Sequence, residues 1–174
     1  MTLKRIFLTL VAVITIAVSG SCFAQATKAD LCIGGISYEQ PLSELIAKYG
    51  QPVEKRPGCY VFSSSEGPIE IYTRFNETVN GKVVASIIVE GNSEVATKAG
   101  IRIGSTYEEI ISAYGTPSRE YFGKLDNGSP NYYVSYNVII PPPSPKHAGY
   151  TMEMYFSLDG NKKVKFIRIE ELIG

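Results

Sequence analysis

The chain has 174 residues, 20% of them charged and 44% hydrophobic, with 17 basic against 17 acidic side chains. A balance this close to neutral lacks the electrostatic footprint that a phosphate backbone demands, so nucleic acid is excluded as a natural partner. One histidine and three cysteines leave metal centres and histidine-based catalysis short of ligands and orienting groups.

Residues 1–24 read as a cleavable export signal. Lys4 and Arg5 precede an apolar stretch from Ile6 to Val18, followed by the small residues Ser19, Gly20 and Ser21. That is the order of charged, apolar and cleavage regions in a secretory leader, and the stretch is shorter than the roughly 20 residues a membrane span requires. Cleavage is placed after Ala24. Cys22, following Gly20-Ser21, leaves a second processing route open, in which a lipidated cysteine would tether the protein to a membrane; Ser19 stands where such signals favour a larger aliphatic residue. Without Lys4 and Arg5 the mature chain carries 15 basic and 17 acidic side chains, a formal charge of −2.

The mature chain contains two cysteines, Cys32 and Cys59. In an oxidising compartment an even pair in a small exported domain is expected to form a disulfide, with two separate buried thiols as the alternative.

The most informative feature is internal repetition. Gly35 to Pro52 overlays Gly100 to Pro117 at a constant offset, which places Leu42, Leu45, Ile46 and Tyr49 on Tyr107, Ile110, Ile111 and Tyr114. Both quartets have the i, i+3, i+4, i+7 spacing of a helix with one buried face. Pro41 is expected at the first helical position of the first copy, and Ser105 with Glu108 is expected to form a capping box in the second. Gly50 and Gly115 supply a left-handed residue at each C-terminus, and Pro52 and Pro117 stop the helices.

Strand-like sequence follows each helix. In the first copy the expected strands are 59–63, 69–75 and 82–90, with Glu66-Gly67-Pro68 and Asn80-Gly81 as turns. In the second they are 132–140, 150–158 and 163–170, with Asp159-Gly160-Asn161 turning the last hairpin. A half of this size buries too little surface to be comfortably stable alone. The expectation is therefore an α+β fold: two tandem α-β-β-β repeats, 25–92 and 93–174, sharing one curved antiparallel sheet with both helices packed on one face. Pro141-Pro142-Pro143-Ser144-Pro145 reads as a stiff loop that cannot join a ladder, although such a run is also a ligand for aromatic grooves. His147 in that loop has no second ligand or acidic partner in sequence.

Gly100 to Pro117, and less closely Gly35 to Pro52, resembles the G-x-S/T, helix, G-x-P element of the beta-lactamase inhibitory protein superfamily. The small outer-membrane lipoprotein of the barrel-assembly machinery carries a similar element. The tandem copies resemble the inhibitory protein in particular, and the resemblance implies two helix-plus-strands repeats forming a long curved sheet whose concave face grips an enzyme. It covers most of the mature chain as architecture but only the helix and its caps as motif. It therefore speaks to fold more than to function, and no inhibitory contact residue carries over.

No nucleophile elbow, S-x-x-K, H-E-x-x-H, phosphate loop or calcium loop occurs. Adjacent pairs such as Glu108-Glu109 and Glu170-Glu171 point in different directions on any regular element. A non-enzymatic protein without cofactor or metal is expected. Strand alternation assigns Tyr132, Val134, Tyr136, Val138, Tyr150, Met152, Met154 and Phe156, with Ile69, Ile71 and Phe75, to the core. The opposite face is then lined by Tyr72, Arg74, Tyr133, Glu153, Tyr155 and Arg168. Tyrosine and arginine amid small polar groups is the composition of protein-binding surfaces. The expected function is an exported module, secreted or in the cell envelope, that binds a protein through this face. The alternatives are a structural envelope lipoprotein anchored through Cys22, and a small-ligand carrier or hydrolase.

Overall fold

The structure is a computed structural model and describes residues 25–125, 127–142 and 148–172. The export signal, Cys22, Pro143 to Pro145 and His147 lie outside the described residues. A 3-10 turn, Lys28–Asp30, leads into a small hairpin of β1 (Cys32–Ile33) and β2 (Ile36–Ser37), then α1 (Leu42–Tyr49). Next come β3 (Glu54–Arg56), β4 (Cys59–Ser64), β5 (Gly67–Asn76) and β6 (Gly81–Glu90). After α2 (Tyr107–Tyr114) follow β7 (Arg119–Lys124), β8 (Pro130–Ile140), β9 (Tyr150–Leu158) and β10 (Val164–Glu171). The class is α+β, as expected.

Strands β3 to β10 form one antiparallel sheet in the order β3-β4-β5-β6-β10-β9-β8-β7. The two innermost strands, β6 and β10, pair from Phe166 opposite Glu90 to Ile169 opposite Ile87. Four strands follow each helix, not three. The additional strands, β3 and β7, are the two edges.

Alternation explains which face is dry. Ile71, Ile87, Ile169, Met154 and Tyr136 are opposite one another across five successive strands and all are buried. The buried sides of the helices, Leu42 and Leu45 on α1 and Ile110 and Tyr114 on α2, join the same core, as do Ile33 and Ile36 of the hairpin. Fully burying side chains of this kind contributes about 1.5–3 kcal/mol each. Tyr132 and Tyr150, expected inside, are only partly buried against that core. Phe75, also expected inside, is 61% exposed. It lies next to the end of the β5–β6 hairpin, beyond the register shift between Tyr72 and Thr73.

The helix ends are close to expectation. The capping box lies one residue later than expected: Glu109 N donates to Thr106 Oγ1 at 3.2 Å and Thr106 N to Glu109 Oε2 at 2.8 Å. Ser105 instead closes the preceding turn, its Oγ accepting from Arg102 N. Pro41 sits just outside α1 with extended ψ, consistent with a ring that cannot donate inside a helix. Gly50 and Gly115 end the helices with φ of 81° and 75°, their N–H groups reaching Ile46 O and Ile111 O.

Among the described residues no disulfide is present: Cys32 and Cys59 are free thiols. The expected bridge fails because the two belong to different layers. Cys59 is opposite Tyr72 and Arg56 on the polar face of the sheet, whereas Cys32 is in the hairpin whose Ile33 packs with the helices.

Candidate functional site: the polar face of the sheet

The face turned away from the helices is read off the register. One row runs Glu54, Val61, Glu70, Ile88, Arg168, Tyr155, Ser135 and Arg119 from edge to edge. The row on one side includes Glu90, Phe166, Ser157, Tyr133 and Tyr121. The row on the other side includes Arg56, Cys59, Tyr72 and Ser86 on β3 to β6, and Glu170, Glu153 and Asn137 on β10 to β8. Strand alternation alone thus brings five of the six expected residues, Tyr72, Tyr133, Glu153, Tyr155 and Arg168, onto one surface.

The sixth, Arg74, is committed elsewhere. Segment Glu39–Pro41 lies along β6, with Glu39 N donating to Val84 O and Val84 N to Gln40 O. Because Arg74 is opposite Val83, which is opposite Pro41, its side chain reaches across β6. Nη2 then bonds Tyr38 Oη and Glu39 Oε1, both at 3.1 Å. Arg74 ties the approach to α1 onto the sheet.

The polar face divides into two zones. Over β7 to β10 the rings form a ladder: Tyr121 and Tyr133 are 5.9 Å apart, Tyr133 and Tyr155 5.4 Å, and Tyr155 and Phe166 6.3 Å between centroids. The Arg168 guanidinium lies 5.1 Å from the Tyr155 ring centre and 5.9 Å from that of Phe166, within cation–π range. Its Nη2 also holds Glu170 at 3.0 Å. Burial under these neighbours pushes the Tyr155 hydroxyl pKa upward.

Glu153 was expected on an open surface and is instead 5% exposed. A buried carboxylate needs a partner, and Arg119 from the edge strand β7 supplies one at 2.6 Å. Beside it Ser135 is fully buried. Its Oγ has no hydrogen-bond partner, and neither do Ser86 Oγ, Asn137 Oδ1 and Arg168 Nε, all on this face. Unmet hydrogen-bonding capacity is concentrated here.

Over β3 to β6 the chemistry is carboxylate. Arg56 holds Glu54 at 2.7 Å and Glu70 at 3.3 Å; the Arg56 hydrogen bond lowers the Glu54 pKa and Glu54 raises that of Arg56. Glu70 Oε1 also accepts from Tyr72 Oη and Cys59 Sγ, each at 3.0 Å. Burial first, and the Glu70 bond second, push the Cys59 thiol to about 11, which makes it a poor nucleophile.

Among the described residues no three His, Cys, Asp or Glu side chains are grouped to hold a metal ion, and no helix is long and apolar enough to cross a membrane. The residues of this polar face that alternation in the sequence did not single out are Tyr121, Phe166 and Arg119. Tyr121 and Arg119 belong to a strand that gives no alternation signal, and Phe166 follows a bulge that shifts β10 by one residue.

No protein-family model matches this chain, and no curated protein does. Among solved structures the chain is similar to a DUF4309 family protein (YjgB) from Bacillus subtilis subsp. subtilis strain 168. The two share 11% identity and a TM-score of 0.45, over 79% of this chain and 83% of that one.

Proposed function

We propose that this protein is an exported, non-enzymatic binding module that engages a protein partner, in the envelope or outside the cell, through the polar face of its sheet. The observation that carries the reading is the Tyr121–Tyr133–Tyr155–Phe166 ladder with Arg168, set among buried polar atoms that lack partners. Tyrosine and arginine anchors with a polar handle are what desolvated protein contacts use.

The reading includes a duplicated scaffold. Support comes from the offset that aligns the two helices and from a strand order that reads outward in sequence from a central β6–β10 pair. The resemblance to the inhibitory protein superfamily supports that scaffold and not a particular activity. Export rests on residues 1–24, and a mature chain beginning at Gln25 by mass spectrometry is the expected outcome; a lipidated Cys22 would replace it with a membrane-anchored form.

The test is capture from an envelope extract by the wild-type protein and by a Tyr133→Ala, Tyr155→Ala double variant with unchanged circular dichroism. A specific partner is expected to be retained by the former and lost by the latter. Equal retention by both would exclude this face.

A further inference from the structure

The carboxylate zone of the polar face is a notch of about 130 Å³, built by residues from four consecutive strands. Val61, Pro68 and Ile88 give it aliphatic walls, and Glu54, Glu70 and Glu90 give it a rim against one guanidinium, Arg56. That guanidinium is already shared between Glu54 and Glu70. Glu90 has no ion-pair partner among the described residues, so the rim is short of positive charge. The volume suits a single side chain rather than a cofactor.

Directly across from Ile88 is Arg168, whose guanidinium is held by Glu170 and begins the aromatic ladder. The notch and the ladder therefore adjoin.

We infer that the partner presents a basic loop: a lysine or arginine side chain enters the notch while the flanking residues lie on the ladder. An apolar stem with a cationic tip is the shape of those side chains, and the stem would pass the aliphatic walls while the tip meets the free carboxylate of Glu90. A bare metal ion fits less well, because the carboxylates are not grouped as a ligand set. This inference rests on the binding role proposed for the face and specifies its partner.

The experiment selects binders from a display library of disulfide-closed, ten-residue random loops against the mature protein. The expected result is enrichment of loops with a central Lys or Arg. Their affinity should fall about tenfold when that residue is replaced by norleucine, and by a similar factor on Glu90→Lys. It should weaken as salt is raised, while Lys48→Gln, on α1 behind the sheet, leaves it unchanged. Loops that lose binding with Tyr133→Ala and Tyr155→Ala but carry no basic residue and ignore Glu90→Lys would overturn the notch and leave the binding face standing. Failure to obtain any loop sensitive to either set of substitutions would overturn both.

Discussion

Tyr114 has the most to say at the scale of single residues. Its ring is 2% exposed between Tyr136 and Phe156, and its hydroxyl donates to Thr97 Oγ1 at 2.7 Å. Burial dominates and pushes its pKa to about 12. Tyrosine is neutral when protonated, so a folded-state pKa above the unfolded value of about 10 gives stability that is intact below pH 10 and lost as pH rises through 12. Urea unfolding at pH 8 and pH 11.5 is expected to show a loss of about 2 kcal/mol from this residue alone. Tyr114→Phe should remove that share of the pH dependence and cost about 1 kcal/mol at pH 8 for the missing hydrogen bond. Tyr136, also held neutral by burial, leaves the Tyr114→Phe protein with a residual alkaline slope. The thiols give a second check. Unfolded, unreduced protein should titrate two free thiols with Ellman's reagent, and in the native protein Cys59, buried and raised in pKa, should resist iodoacetamide at pH 8. One disulfide and no titratable thiol would contradict the structure.

At the scale of elements, the helices depend on their ends because each has only two turns, too few to be stable in isolation. Thr106→Ala removes the side-chain acceptor for Glu109 N and is expected to cost about 1 kcal/mol. Gly50→Ala isolates backbone strain, since a Cβ there would meet nothing within 4 Å. Its φ of 81° with ψ of −168° is territory that only glycine enters readily, and the substitution should cost about 1–3 kcal/mol. Chemical denaturation of both variants measures these losses. Helices and inner strands were legible because their apolar residues recur with periods that only one element satisfies. The edges were not: β3 is exposed at every position and β7 at all but one, so alternation carries no information there. A signal was nevertheless present, because Glu54 and Arg119, the first residues of those strands, stand at the same offset as the two helices. On the site, Tyr133, Tyr155 and Arg168 could be read from alternation, whereas the path of Arg74 depends on a segment thirty-five residues earlier in the chain lying beside β6. No local pattern encodes that contact. Nor does the spacing of Cys32 and Cys59 say which layer each occupies.

For the whole molecule, the decisive place is the junction of β6 and β10, where Ile87, Val89, Ile167 and Ile169 are 0–1% exposed. These side chains come from both sequence halves, and each half supplies the apolar surface that the other needs. Cutting the chain between β6 and α2 would open that row to water along the whole seam, and a chain segment of this size has little other core to fall back on. Residues 25–92 expressed alone are therefore expected to lack the cooperative unfolding transition of the full chain, and mixing them with residues 93–174 should restore it. A milder probe acts through the intact chain. Ile87→Ala removes a fully buried side chain opposite Ile169 and should cost about 2–5 kcal/mol. The loss should be felt equally by fluorescence probes placed at Tyr72 in one half and Tyr133 in the other, because a fused core gives way as one unit. Two separated transitions, with only the probe at Tyr72 shifted, would mean that the halves are stable independently. The polar face would then be two surfaces on a hinge, and the ladder on β7 to β10 could not be held in register with the notch on β3 to β6.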